Sequence, residues 1–149
     1  MAILIKISGD LTENRKVLDE IKEISKTDDV SLIYGFGTKL SNECYARHIG
    51  FYYVKGIRVF VNENKKYGLE LALKISKEVK DSLSRELGDK IELISPVNVA
   101  HGEITNTNAD EILINEGHKY SKIILYTLKG RDKEELFSKF SDKIEVRYI

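Results

Sequence analysis

Apolar residues along this chain fall into short unbroken runs that alternate with longer runs of helical spacing. The segments 2–7, 30–34 and 122–128 are almost continuously apolar, which is typical of strands covered on both faces in a parallel sheet. Shorter apolar segments at 91–95 and 144–149 predict two more strands. The pattern therefore predicts a sheet built mainly of parallel strands.

Apolar positions three or four residues apart predict helices between these strands. The predicted helices span about 11–24, 38–49, 65–87, 108–117 and 132–140. Asp10 or Thr12 is expected to cap the start of the first helix, because short polar side chains accept the unbonded amides there. Gly50 and Gly88 are expected to close the second and third helices.

Two hairpins are predicted outside this alternation. The short strands 51–54 and 57–61 flank Lys55-Gly56, a plausible two-residue turn. The polar segment 96–107 is predicted to be either a loop or a small hairpin that turns at His101-Gly102.

The alternation of strands and helices predicts an α/β fold, a three-layer α/β/α sandwich with a mainly parallel sheet. The 149 residues and the hydrophobic fraction of 42% suit a single domain over 1–149 that buries a real core. The segment 2–7 is too short for a signal or an anchor, and a lysine interrupts it. We therefore expect a cytoplasmic protein with no membrane partner.

Charge and cysteine content narrow the function classes further. Lys and Arg number 24 and Asp and Glu number 24, so the formal net charge is zero, and nothing favours nucleic acid or an anionic membrane. Cys44 stands alone, and the three histidines lack metal-ligand spacing. We expect no metal site formed by these residues and no covalent catalysis.

Ligands of parallel sheets bind beyond the carboxyl ends of the strands, so the strand-to-helix junctions hold the candidate residues. Lys6 ends the first strand, where its ammonium either meets an anion or reaches water. Gly9 follows that strand, and Gly35 and Gly37 follow the second. Their backbone amides could approach an anion at a helix start, although tight turns also need glycine.

A second set of candidates lies in the hairpins and beyond them. Arg58, between two apolar strand residues, either clamps a carboxylate or is an exposed strand arginine. Asn108 with Glu111 makes a good helix start, so Asn108 is interpreted as its cap. Asp110 suits a first helical turn, whereas helix formation leaves Asn106 unexplained.

Several segments, taken in order over 2–130, resemble the amino acid kinase family, and the acetylglutamate kinases most. They are ILIKISGD, SLIYGFGTKLSNECYARHIG, FYYVKGIRVF, the long predicted helix, ELISPVNVAHGEITNTNAD and KIILYTLKG. The resemblance implies the family's fold, with this chain corresponding to the amino-substrate lobe. It also implies transfer of a phosphoryl group from ATP to the carboxylate of a small acylated amino acid.

The resemblance implies roles for the candidate residues. Lys6 would stabilise the transferring phosphoryl group and Asp110 would orient the catalytic lysines, in line with the charge neutralisation that such chemistry needs. The implied substrate-binding residues are Gly9, Gly35, Gly37, Arg58 and Asn106.

The chain also departs from the family pattern. Ser8 replaces a glycine, Phe36 occupies a normally open loop, and the late strand ends in Thr127-Leu128-Lys129-Gly130. The residues after Gly130 are too few for the family's nucleotide-binding lobe. The resemblance therefore implies a shortened, degenerate relative that binds a small carboxylate- or phosphate-bearing metabolite, a small anionic partner.

Two alternatives stay open at this point. One is a non-catalytic interaction or regulatory protein that dimerises through the helix 65–87, because the family forms homodimers through this lobe. The other is a minimal ATP-dependent kinase for an acylated amino acid, completed by another subunit. Only the kinase would require ATP and Mg²⁺ as cofactors.

Overall fold

The computed structural model describes residues 2–130 and 134–149. The strands are β1 (Ala2–Ile7), β2 (Asp29–Ile33), β3 (Phe51–Val54), β4 (Ile57–Phe60), β5 (Glu92–Ile94), β6 (Val97–Ala100), β7 (Glu103–Asn106), β8 (Lys122–Thr127) and β9 (Ile144–Tyr148). The helices are α1 (Arg15–Ser25), α2 (Lys39–Ala46), α3 (Lys65–Leu87), α4 (Ala109–Glu116) and α5 (Glu134–Phe140). The strands and helices alternate as the sequence predicts.

A five-stranded sheet forms the middle layer, in the order β5-β2-β1-β8-β9. Each neighbouring pair in it is parallel. The central strand β1 is buried from Ile3 onward, which explains its unbroken apolar sequence.

Helices cover both faces of this sheet. One core contains buried residues of α1, α2 and α3, such as Ile21, Leu40 and Ile75. The other contains Leu113 of α4 and Leu136 of α5. The predicted fold class, a three-layer α/β/α sandwich with a parallel sheet, is therefore confirmed.

Two predicted helix ends are wrong. The residues Gly9–Leu11 form a 3₁₀ turn, so α1 begins later, and its cap is Asn14, whose side chain accepts a hydrogen bond from the Val17 amide at 3.1 Å. Helix α2 ends at Ala46, and His48 (φ 56°), not Gly50, has the left-handed conformation that follows it. Residues 132 and 133, predicted to start the last helix, lie outside the described residues.

Both hairpins are present. The β3–β4 turn places Lys55 at φ 50° and Gly56 at φ 78°, and the β6–β7 turn places His101 and Gly102 at φ 53° and 78°. Two successive positive values characterise the tight turn that matches strand twist. Within the described part of the chain, no helix is both long and apolar enough to cross a membrane.

Candidate functional site

An open pocket of about 460 Å³ lies where β1 and β2 end. The two hairpins and the start of α4 form its other walls. All seven residues that the sequence singles out line it: Lys6, Gly9, Gly35, Gly37, Arg58, Asn106 and Asp110. The fold thus brings together residues up to 104 positions apart, at the end of the sheet where parallel folds bind ligands.

Lys6 forms an ion pair with Asp110 inside this pocket. The Lys6 side chain is 9% exposed, and its Nζ donates to Asp110 Oδ1 at 2.5 Å. A cation this buried requires an anionic partner, and Asp110 in the first turn of α4 provides it. The interpretation of Lys6 as a lysine that reaches water is therefore wrong.

The glycine turns after β1 and β2 lie against each other. A Cβ atom on Gly9 would come 1.8 Å from the Gly37 nitrogen, and one on Gly37 would come 2.7 Å from the Gly9 carbonyl carbon. A Cβ on Gly35, by contrast, would have its nearest atom at an ordinary 3.6 Å. Backbone packing alone therefore requires glycine at positions 9 and 37.

Arg58 is held in place by side chains of α2 and β3. Its Nη2 donates to Ser41 Oγ at 2.7 Å and to the Tyr53 hydroxyl at 2.8 Å. The guanidinium carbon also lies 4.8 Å from the centre of the Phe51 ring, where the negative ring face attracts a cation. The planar group is thus oriented before any ligand arrives.

The guanidinium of Arg58 has no acidic partner at ion-pair distance among residues 2–130 and 134–149. Its Nε is buried and makes no hydrogen bond to any of these residues. A buried donor without an acceptor costs free energy. Arg58 is therefore a positioned cation whose hydrogen-bonding capacity is incomplete.

Two asparagines connect the second hairpin with the first. Asn106 Nδ2 donates to the Arg58 carbonyl at 2.8 Å. Asn108 caps α4 by accepting from the Glu111 amide at 2.7 Å, as predicted, and its Nδ2 donates to the Lys55 carbonyl at 3.4 Å. Asn106, unexplained by the sequence, thus has a structural role beside Arg58.

Sequence reasoning missed Ser41, Tyr53 and Phe51 as neighbours of Arg58. The predicted turn at Lys55-Gly56 contained part of the signal, since a two-residue turn fixes the register and places Tyr53 opposite Arg58. Nothing local to the sequence predicts the contact with Ser41, which depends on how α2 packs.

The pocket also contains a second carboxylate. Asp10 Oδ1 accepts a hydrogen bond from the Thr38 amide at 3.1 Å, and Asp10 lines the pocket together with Asp110. Among the described residues, the cations Lys6 and Arg58 and the carboxylates Asp10 and Asp110 therefore line one cavity. In the described ranges, no group of three His, Cys, Asp or Glu side chains is placed to hold a metal ion.

Cys44 is buried beneath this region. Burial raises the pKa of its thiol above the ordinary value, against the opposing effect of Arg58. The thiol is therefore protonated at neutral pH, which makes it a poor nucleophile.

Comparison with known proteins identifies similar folds. N-acetylglutamate synthase from Neisseria gonorrhoeae in complex with coenzyme A and L-arginine superposes with a TM-score of 0.70 at 15% identity, over 89% of this chain and 44% of that one. The same synthase with coenzyme A and N-acetyl-glutamate gives 0.67 at 15% identity, over 86% and 42%. The protein smu.665 from Streptococcus mutans UA159 gives 0.51 at 14% identity, over 84% and 71%. No protein-family model and no curated protein sequence matches.

These similarities contradict the expected membership in the amino acid kinase family. The similar structures of known activity given above are N-acetylglutamate synthases, so that expectation is wrong. The degenerate kinase-like function, the two alternatives and the association with ATP are corrected with it. This chain spans less than half of the synthase, and at 15% identity the similarity establishes the fold alone.

Proposed function

We propose that this chain serves coenzyme A-dependent acetylation of an amino acid, and that the pocket beside Arg58 binds that amino acid. The chemical class comes from the N-acetylglutamate synthases, which share the fold and were crystallised with coenzyme A and amino acid ligands. The binding site comes from the pocket itself. L-glutamate is the first candidate acceptor, because the synthase is named for its acetylated form.

The observation that carries the proposal is the incomplete bonding of Arg58. Its guanidinium is oriented by Tyr53 and Ser41, and its buried Nε makes no hydrogen bond within the described chain. A carboxylate accepts two parallel N–H bonds from such a group. The α-carboxylate of an amino acid would supply the negative charge that the guanidinium lacks among the described residues.

The remaining charges suit the other end of an amino acid. The carboxylates of Asp10 and Asp110 line the same pocket and complement an ammonium group. The amides near Gly9, Gly35 and Gly37, together with Asn106, are proposed to contact the polar parts of the ligand. Lys6 keeps Asp110 in place through the 2.5 Å ion pair.

In the proposed reaction, the bound ammonium group first loses a proton to water, and the resulting neutral amine nitrogen attacks the carbonyl carbon of acetyl-coenzyme A. An N–C bond forms, the C–S bond breaks, and coenzyme A leaves as the thiolate. The nitrogen loses one proton, which a pocket carboxylate such as Asp110 accepts before it passes to the leaving thiolate or to water. Positioning of the amine is the main contribution of this pocket.

Calorimetric titration tests the binding site. L-glutamate, N-acetyl-L-glutamate, L-arginine and coenzyme A are titrated separately into the parent chain and into two variants. Arg58→Met removes the charge at similar length, and Arg85→Met is the matched control on an exposed position of α3. We expect an amino acid ligand to bind the parent and the control, and Arg58→Met to weaken that binding by about tenfold or more, the usual scale for a hydrogen bond to a charged group.

Two results would overturn the proposal. One is that none of the three amino acid ligands binds the parent chain at millimolar concentration. The other is binding that Arg58→Met leaves unchanged. Release of free thiol from acetyl-coenzyme A in the presence of L-glutamate, followed with a thiol reagent, would show whether this chain also carries the transfer step.

A further inference from the structure

The outermost strand of the sheet, β9, presents backbone groups that no strand in the described chain covers on its outer side. On the inner side, the Lys143 carbonyl accepts from the Ile123 amide and the Ile149 amide donates to the Thr127 carbonyl, both at 2.9 Å. Because successive residues of a strand alternate, the amides and carbonyls of Ile144, Val146 and Tyr148 point outward.

The sequence of β9 is self-complementary about its central residue. When two copies run antiparallel with Val146 opposite Val146, Ile144 faces Tyr148 of the other copy and Glu145 faces Arg147 of the other copy. The pairs 146–146 and 144–148 then join residues whose backbone groups all point outward, so they are hydrogen-bonded pairs. Both the backbone and the charges are satisfied in one register.

The neighbouring registers are disfavoured by charge. A shift of the pairing by one residue in either strand would place inward-pointing backbone groups opposite outward-pointing ones. A shift by two places Glu145 opposite Glu145, or Arg147 opposite Arg147, and like charges directly opposite each other destabilise a strand pair. The hydrogen-bonding phase and the charges therefore select the same alignment.

The other edge of the sheet lacks these properties. Strand β5 has three residues, and Pro96, which has no amide hydrogen, follows soon after it. Short strands and proline are common protections of a sheet edge. Strand β9 has five residues, with an acid and a base on either side of its central Val146.

We propose that two copies of this chain pair antiparallel along β9, so that their sheets join into one continuous sheet. The two-fold axis passes between the Val146 residues and is perpendicular to the sheet, which keeps the α1 faces on the same side. Within the chain, Arg147 contacts Glu145 and Glu20, and Glu145 also contacts Lys122. The side chains of Glu145 and Arg147 remain 41% and 30% exposed, so each can add a contact across this axis. The partner is a second copy, because an antiparallel strand that matches these charges must itself have an acid and a base in the order of Glu145 and Arg147.

Sedimentation velocity of the parent chain and of two single variants tests the pairing. We expect the parent to sediment as a particle of twice the 17.0 kDa chain mass. Glu145→Arg and Arg147→Glu each place like charges opposite each other in both halves of the pair. Each is expected to raise the dissociation constant of the dimer by about tenfold or more, given the usual cross-strand pair energies.

The decisive arm is an equimolar mixture of the two variants. In the mixed dimer, every substituted side chain faces the opposite charge, so association should return to within about threefold of the parent constant, while each variant alone stays weak. A dimer through any other surface would not show this restoration. Circular dichroism of each variant confirms that it is folded.

Val146→Pro is the variant that leaves the charges unchanged. It removes one outward amide and no hydrogen bond to β8, so it should abolish the dimer even if Arg147→Glu fails to fold. The proposal is overturned if the parent is monomeric at about millimolar concentration, far above the range of specific dimers. It is also overturned if the dimer persists unchanged in Glu145→Arg and in Val146→Pro.

Discussion

Two arginines lie over aromatic rings in this protein, one in the pocket and one on the outer strand. The guanidinium carbon of Arg58 is 4.8 Å from the centre of the Phe51 ring, and that of Arg147 is 5.5 Å from the centre of the Tyr126 ring. Each also donates to a tyrosine hydroxyl at 2.8 Å. The protein thus holds both cations by the same two kinds of contact.

The two differ in their acidic partners. Arg147 contacts Glu145 and, at 3.3 Å, Glu20 of α1. Burial lowers the pKa of Arg147, but Glu145 and Tyr126 outweigh burial and leave it above the ordinary value. Arg58 has no such acid in the described residues. Aromatic contact therefore shows only that an arginine is held in place, and the two arginines differ in whether an acid of the described chain compensates their charge.

The largest predicted loss of stability concerns the glycine turns that form one wall of the pocket containing Arg58. Gly9→Ala should lower the free energy of unfolding by about 3 kcal/mol, because its Cβ would overlap backbone of the Gly37 turn. The matched control is Gly35→Ala, whose Cβ has space, so its stability should change by less than about 1 kcal/mol. Urea unfolding measures both. Equal losses in the two variants would show that the turns do not pack as described.

The arginines themselves should respond differently to removal of the charge. Arg147→Met removes the cation that contacts Glu20 and leaves Glu145 with only Lys122, at 3.3 Å. It should lower the free energy of unfolding by about 1 to 2 kcal/mol. Arg58→Met leaves no acid unpaired and should cost less than about 1 kcal/mol, since a buried donor without an acceptor is lost with it. Denaturant titration compares them, and a larger loss for Arg58→Met would break the distinction.

The two tyrosine hydroxyls provide a finer test. Tyr126 is fully buried and Tyr53 is 57% exposed. Tyr126→Phe should therefore lower stability by about 1 kcal/mol, whereas Tyr53→Phe should leave stability nearly unchanged. Tyr53→Phe should instead weaken amino acid binding by about threefold, because Arg58 loses one orienting contact. Thermal unfolding measures the stability of the two variants, and calorimetry measures their amino acid binding. A loss of stability in Tyr53→Phe alone would contradict the expected difference between the two hydroxyls.

The smallest effect concerns pH on the Arg147 side. The hydrogen bond from Arg147 lowers the pKa of Glu145, against the opposing effect of burial. A carboxyl whose pKa is lower in the folded state stabilises the protein above its unfolded pKa of about 4.3 and loses that contribution as pH falls further. Glu145→Gln should therefore flatten the decrease in melting temperature below about pH 4.3. An unchanged slope would show that Glu145 makes no such contribution.

The strands and the long helix could be predicted from sequence because local apolar patterns determine them. Helix starts could not, since Asp10, Thr12 and Asn14 are all good caps. Gly9 packs against Gly37 of another turn, and Gly9–Leu11 form a 3₁₀ turn rather than the start of α1. The helix therefore begins after this turn, where Asn14 is its cap.

The candidate site was only partly predictable, for the same reason. Lys6 and Arg58 stand out because a cation in an apolar strand needs a partner. The distance between Lys6 and Asp110, and the contact of Arg58 with Ser41, depend on tertiary packing. The resemblance to amino acid kinases failed because glycine turns, a strand lysine and two hairpins specify a backbone, and one backbone can serve different chemistries.

The two asparagine bridges couple the hairpins mechanically. Asn106 and Asn108 each hold a carbonyl of the first hairpin, at Arg58 and Lys55. A carboxylate that restrains Arg58 should therefore also restrain β6 and β7, which are otherwise held by few buried residues of their own. Ligand binding should register as slower amide hydrogen exchange across β6 and β7.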